Sequence, residues 1–490
     1  MSDTDFKRIT TKIPARLDRL PWSRWHWMII IGLGTVWILD GLEVTIVGSM
    51  SSALQDPKHG LGMTSIDIGR AGAVYVAGAC VGALFFGHLT DRLGRKKLFM
   101  MTLAVYTVAT VLTAFSGNPM WYFIFRFFTG AGIGGEYAAI NSAIDELIPA
   151  KHRGRVDIGI NGSFWVGATI GSLLTIPLLD PKLVAPGLGW RLAFGLGAIL
   201  AVGILLVRRN VPESPRWLFI HGREDEADGI VSQIESDVAE SSGESLPSPE
   251  DEITIRQRKS IGFVTIAKTA FQVYPKRTVL CLALFIGQAF LYNAFFFTYG
   301  DALGNLLGVK QTGWYLAAFA VSNFAGAFLL GRLFDTVGRV KMIAGTYMLS
   351  GLLLVVVGFM LGSLTAVTLT IAGMVIFFFA SAGASAAYLT ASEVFPMETR
   401  ALAIAFFYAI GTAVGGITGP LYFGKLINDA KVLSDIAPGY WIGGALMIAA
   451  GLLEVLIGVH SERKSLESIA RPLTAEDADS SRGGPQPAPA

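Results

Sequence analysis

Apolar runs of about 20 residues, broken by short charged stretches, make up most of this chain. A run of that length and polarity carries an α-helix across the hydrocarbon core of a bilayer. Twelve runs fit. Six lie at residues 26–51, 71–90, 98–117, 120–143, 158–179 and 190–207, and six more at 278–300, 313–334, 342–362, 365–393, 402–426 and 439–459. The fold class this predicts is an all-α membrane protein, with twelve transmembrane helices in two six-helix bundles, 26–207 and 278–460. A tail over 1–25, a central loop over 208–277 and a second tail over 461–490 complete the expected organisation. Within the central loop, residues 222–240 set Ile230, Ile234 and Val238 at helical spacing and predict a short amphipathic helix. Residues 241–252, rich in Ser, Glu and Pro, read as flexible linker, and the end of the chain reads as mostly disordered.

The two predicted bundles share a charged loop. GHLTDRLGRKK at 87–97 and GRLFDTVGRVK at 331–341 each fall between two apolar runs. A second echo has nearly the same offset: Glu146 precedes Arg153 across Pro149, and Glu393 precedes Arg400 across Pro396. Two coincidences at matching places predict duplicated, pseudo-symmetric halves. Such halves rock against each other around a central site, which is the architecture of a secondary transporter.

Composition agrees with a membrane chain. Of 490 residues, 52% are hydrophobic and only 16% charged, against about 25% charged in a soluble domain. Net charge is +2, so the overall balance points to no nucleic acid; the placement of charge carries the information. Lys and Arg collect in the N-terminal tail, in the loops holding Arg92, Arg95, Lys96, Lys97, Lys151 and Arg153, in the central loop, and around Arg332, Arg339, Lys341 and Arg400. The opposite loops hold only Lys58, Arg70, Lys182, Arg191, Lys310 and Lys431. The basic side faces the cytoplasm, so both termini are expected inside. Cys80 and Cys281 sit singly within apolar runs and make no disulfide framework or metal motif. The scattered histidines suggest no metal cluster, and there is no P-loop, so no direct ATP drive, cofactor or enzymatic constellation is expected.

The repeated loop resembles the most specific mark of the major facilitator superfamily, and the likeness extends over nearly the whole chain. PESPRWL at 212–218 followed by Gly222 and Arg223, KSLESI at 464–469, and the spacing of Arg126 to Glu146 are similar to the sugar-porter and synaptic-vesicle-protein-like branch. GGEY at 134–137 resembles metabolite–proton symporters, and DGLE at 40–43 resembles aromatic-acid–proton symporters. The glutamines of helix five and the Pro-rich, Trp-bearing helix ten of sugar porters are missing here. The resemblance therefore implies the fold and a transport activity, while leaving a hexose substrate open.

Charge at mid-bilayer costs roughly 2.5–3.5 kcal/mol per residue on insertion scales and is rarely decorative. Asp40 and Glu43 in helix one, and Arg126 and Glu136 in helix four, are the proton-coupling candidates. Glu43 and Arg126 lie at similar depths and can pair. A carboxylate that holds Arg when ionised and releases it when protonated couples protons to conformation; alternatively the pair fixes two helices statically. The resemblance implies the first role, since proton-using sugar porters carry an acid and an Arg at these positions. Asp40 extends a relay or lines a wet cavity, and Glu136 serves an inner gate or carries protons.

Asp91, Arg92, Arg95, Glu146, Arg153, Glu213 and Arg216 from one half, with Asp335, Arg339, Glu393 and Arg400 from the other, are candidates for a cytoplasmic gate; positive-inside placement alone also accounts for the basic ones. Gln288 and Tyr292 share a face of helix seven, with Asn293 off that face unless the helix breaks. Together with Trp165 and Tyr388 they are the substrate candidates, against interhelical bonding and packing. The expected function is alternating-access transport of a small polar organic metabolite (a sugar, polyol or similar), with protons as co-substrate. Aromatic- or organic-acid symport, efflux by antiport, and a non-transporting sensor are the alternatives. The expected setting is a bacterial plasma membrane and a monomer, with the lipid bilayer, protons and one small molecule as partners.

Overall fold

The computed structural model describes residues 8–208, 213–243, 246–248, 253–256, 267–395, 400–461 and 469–470. Twelve long helices run through them. They are α1 (Arg24–Ser49), α2 (Ser65–Leu93), α3 (Arg95–Ala114), α4 (Pro119–Leu147), α5 (Ala150–Leu178), α6 (Gly189–Arg208), α7 (Pro275–Leu307), α8 (Gly313–Leu330), α9 (Arg339–Met360), α10 (Ala366–Val394), α11 (Arg400–Gly411, continued through Thr412–Gly416 into Ile417–Asp429) and α12 (Ala437–Ile457). Nine helices are long and apolar enough to cross a bilayer, among the described residues. All twelve overlie the expected spans. The largest differences are at the starts of α2 and α5 and the C-terminal end of α7, where polar turns continue the helix past the apolar run.

Local chemistry sets the ends. Asn118 caps α4 by accepting from the Trp121 N–H at 3.1 Å, with Pro119 at the first helical position. The repeated loop has a backbone reason for its second glycine. Gly94 and Gly338 precede α3 and α9 with φ of 85° and 115°, a region that costs other residues strain. α11 changes to π-helical winding at Thr412–Gly416, a form frequent at functional sites.

In the first half α2 packs on α4, α1 on α5 and α3 on α6; in the second α9 packs on α12 and α8 on α10. Across the halves, α5 meets α8, α2 meets α11 and α1 meets α7. These pairings are related by the duplication read in the sequence. At the α1–α7 crossing the backbones touch. A Cβ on Gly48 would lie 2.0 Å from the Phe296 carbonyl oxygen, and one on Gly300 2.0 Å from that of Gly48, so small residues set the approach.

The N-terminal tail forms local structure of its own. Strand β1 (Arg8–Thr11) pairs antiparallel with β2 (Ile253–Arg256), and a short helix at Ile13–Asp18 follows it. That helix docks on the helix Glu224–Ser242, where Arg16 bonds Glu235 and Asp228, and Arg19 bonds Glu235. The Glu224–Ser242 helix buries Ala227, Val231, Ile234 and Val238, so the expected amphipathic face is present but turned slightly, with Ile230 half-buried at its edge. Residues 241–252, expected as flexible linker, are described only at 241–243 and 246–248; there Ser242 closes the helix and the Pro247 carbonyl accepts from Arg19. At the start of α7, Arg277 donates to the Ile469 carbonyl at 3.1 Å.

Candidate functional site

Between the halves lies a cavity with about 870 Å³ of empty space, the open solvent at its mouth included. Its wall is rich in aromatic rings: Trp37, Tyr75, Tyr137, Phe164 and Trp165 from the first half, and Tyr292, Phe296, Tyr388 and Tyr408 from the second. Asn161, Gln288, Asn293, Ser381, Ser385 and Thr412 supply the polar spots. Among the described residues, none of the lining side chains is charged.

All five sequence-derived substrate candidates, Trp165, Gln288, Tyr292, Asn293 and Tyr388, therefore face one space. Asn293 does so without a break in the helix. α7 is continuous from Pro275 to Leu307, and Asn293 is only about 100° around it from Tyr292, so a cavity that wraps the helix takes both. The Tyr292 hydroxyl donates to Asn323 Oδ1 on α8 at 3.0 Å, which fixes its ring. Trp165 reaches across the halves to Tyr292 and Phe296, with ring centres 5.4 and 5.1 Å apart. Tyr388 packs on Phe285 at 4.9 Å and Tyr137 on Tyr408 at 5.0 Å.

Behind the wall sit the membrane charges. Glu43 and Arg126 are both fully buried and joined through Oε1 and Nη1. The other Glu43 oxygen accepts from the Tyr106 hydroxyl at 3.2 Å. Asp40 does not join that pair directly. It accepts from Tyr75 at 2.9 Å and from Tyr137, two residues of the cavity wall. Glu136 lies apart from Arg126, as its depth implied, and accepts from Thr102 Oγ1 at 3.1 Å.

The sequence reading recognised four charges in the membrane; the structure buries three further acids in the helices, Asp157, Asp301 and Glu454. Asp157 and Asp301 fall one residue outside their expected spans, and Glu454 lies inside the twelfth. Asp301 bonds across the halves at the end of α7 away from the central loop. Its Oδ1 accepts from Gln55 Nε2 and Asn305 Nδ2, each at 2.8 Å, while Asn305 also donates to Ser65 at 3.0 Å. Thr312 donates to the Ser49 carbonyl at 3.1 Å beside it.

At the other end, Glu213 accepts from the backbone N–H groups of Arg95 at 2.9 Å and Lys96 at 3.2 Å, capping α3. In the second half Arg339 pairs with Glu393 at 3.0 Å, and Ser461 donates to the same carboxylate at 2.6 Å. The side chains of the other gate candidates, Asp91, Arg92, Glu146, Arg153, Arg216, Asp335 and Arg400, lie outside the described residues. Most of the aromatic wall went unmarked in the sequence. Its one local signal was GGEY, where Tyr137 stands beside the glutamate that drew notice.

Two helical halves lining a shared cavity, with membrane charges beside it, define a secondary transporter of the major facilitator fold. The profile of the family described as "Sugar (and other) transporter" matches residues 25–472, and the chain belongs to that family. It is a multi-pass integral membrane transporter and not an enzyme. It is similar to the niacin transporter NiaP of Acinetobacter baylyi, 26% identical over 93% of this chain and 99% of the relative. It is also similar to the 4-hydroxybenzoate transporter PcaK of the same organism, 26% identical over 89% of this chain and 93% of the relative. Among solved structures, the proton:xylose symporter XylE bound to 6-bromo-6-deoxy-D-glucose superposes with a TM-score of 0.72 at 18% identity, covering 90% of this chain and 98% of that one.

Proposed function

We propose that this protein moves a small organic molecule bearing a flat ring across the membrane together with a proton. The observation that carries the reading is the buried Glu43–Arg126 pair standing beside an aromatic cavity that contains no charge of its own. A buried ion pair is costly to build and does little for stability, so a role in proton exchange gives it a purpose. Glu43 holds Arg126 when ionised; protonation removes the attraction and frees α1 and α4 to change their packing. Asp40, tied to two wall tyrosines, is the second proton-handling group, and Glu136 acts nearer the inner end.

For substrate, large π-faces with polar atoms set among them suit one aromatic ring bearing polar substituents. Niacin and 4-hydroxybenzoate, named for the two relatives, are single aromatic rings that each carry a carboxylate and one further polar atom. A sugar or polyol is the second reading, favoured by the amides Asn161, Gln288 and Asn293 and the wall hydroxyls, which can bond several hydroxyl groups. Asp301 with Gln55 and Asn305 forms the outer closure. Glu213, Arg95, Arg339 and Glu393, together with Asp91, Arg92, Glu146, Arg153, Arg216, Asp335 and Arg400, form the inner one. The halves 26–207 and 278–460 work as rocking units in a monomer, with both termini and the 208–277 loop in the cytoplasm of a bacterial cell.

Purified protein in proteoliposomes tests the substrate class. Under an inward proton gradient, labelled niacin or 4-hydroxybenzoate is expected to accumulate, with D-xylose a poor competitor. Uptake of D-xylose, blocked by polyols and untouched by aromatic acids, would install the second reading. Displacement by multiply charged anions alone would contradict both.

A further inference from the structure

We infer that Tyr75 is a positioning residue through which the cavity wall sets the Glu43–Arg126 pair. The inference rests on the reading of that pair as the proton site. Tyr75 is in three places at once. Its ring forms part of the cavity wall. The guanidinium of Arg126 lies over that ring, 4.5 Å from its centre. Its hydroxyl donates to Asp40 at 2.9 Å.

The contact with Arg126 matters because the cation has few others. Its Nη1 bonds Glu43, while Nε and Nη2 have no hydrogen-bond partner among the described residues. Besides the carboxylate, the guanidinium is held by the face of Tyr75 and, at 5.7 Å, by Phe194. A desolvated cation over an aromatic face is strongly held. When Glu43 takes a proton, that face becomes the principal remaining partner of the charge.

The far side of α2 gives the ring a reason to move. Tyr75 packs on Phe297 of α7 with ring centres 5.7 Å apart. One turn earlier, a Cβ on Gly72 would stand 2.7 Å from the Phe297 ring. The two halves are thus in direct contact here, and rocking α7 away from α2 changes the packing that holds the Tyr75 ring. The charged and titratable groups facing it are Asp40 and Glu43 on α1, Arg126 on α4 and Tyr408 on α11, with Glu136 and Tyr137 of α4 acting on Asp40. A tyrosine that touches the wall, both acids' network and the opposite half can pass a change in any one to the others.

The test needs no substrate. Infrared difference spectra of the purified protein, recorded while pH is stepped, report the carboxyl band of Glu43, identified by its loss in Glu43→Gln. Tyr75→Leu removes the ring face and the hydroxyl; Tyr75→Phe removes the hydroxyl alone. Tyr75→Leu is expected to move the midpoint of that band by about one pH unit or more, as fits a tenfold change in one equilibrium. Tyr75→Phe is expected to move it less, while changing the Asp40 band, identified by its loss in Asp40→Asn. A Glu43 midpoint that stays put in folded Tyr75→Leu overturns the inference. If that variant does not fold, an unaltered Asp40 band in Tyr75→Phe overturns it. If no band that titrates is lost in Glu43→Gln, the proton-site reading itself has failed, and the inference falls with it.

Discussion

Replacing Arg126 by alanine probes the buried pair most severely. Both partners are completely shielded from solvent, and the Glu43 oxygen that faced Arg126 is left with nothing in its place. Its second oxygen keeps only the 3.2 Å bond from Tyr106. Breaking a buried pair by removing one member costs roughly 3–5 kcal/mol. The lost contact with the Tyr75 ring, 4.5 Å from the guanidinium, belongs to the same deletion and is counted within that range. A buried charge without a partner is relieved by neutralisation, so Glu43 recovers part of the loss by holding a proton. A carboxyl that keeps its proton throughout the cycle transfers none. Arg126→Lys retains the charge without the planar fork that bonds carboxylate and stacks on a ring, and should fall between. Chemical unfolding in detergent and proton-driven uptake in proteoliposomes should both rank wild type above Lys and Lys above Ala. Wild-type stability and unchanged transport kinetics in Arg126→Ala would refute the reasoning and leave Arg126 without a coupling role.

Asp301→Ala deletes the acceptor shared by Gln55 and Asn305; a cysteine placed at Val44 in the cavity wall should then be labelled severalfold faster by an impermeant thiol reagent, and an unchanged rate would remove Asp301 from the outer closure. Gln288→Ala should weaken substrate binding by roughly 1–3 kcal/mol through lost and unsatisfied bonds, read by competition; equal affinity would place Gln288 in packing alone. Glu235 predicts a pH effect at the N-terminal tail. Burial raises its carboxyl, but hydrogen bonds from Arg16 and Arg19 outweigh that and hold it below the ordinary value. Its contribution to docking is therefore complete above the ordinary carboxylate range and is lost as pH falls through the depressed value. Proteolysis within residues 8–19 should accelerate over that acid window in wild type, and should already be fast at neutral pH in Glu235→Lys; protection independent of both would contradict the docking.

The helices were legible because apolar runs in a bilayer permit little else: each backbone group must be bonded within its own segment. The duplication was legible because Gly94 and Gly338 recur at the same turn, and a positive φ there demands them. Depth counting showed that Glu43 and Arg126 could pair, and the structure joins them. The aromatic wall did not show, because tyrosine and tryptophan occur as readily in packing as in a cavity, and only the crossing of seven helices decides which. Asp40 looked like a neighbour of Glu43 on one helix face; its partners Tyr75 and Tyr137 come from α2 and α4, a fact outside any local pattern. The strand in the tail went unread because its partner lies far along the chain, at residues 253–256.

Glu43→Gln is the most direct test of proton coupling at this pair. Glutamine keeps the shape of the side chain and an oxygen for Arg126 but has no proton to exchange. With labelled substrate on both sides of a proteoliposome membrane, exchange should persist near the wild-type rate. With an imposed proton gradient and no internal substrate, accumulation above equilibrium should vanish. Uphill accumulation at the wild-type level in Glu43→Gln would contradict the account.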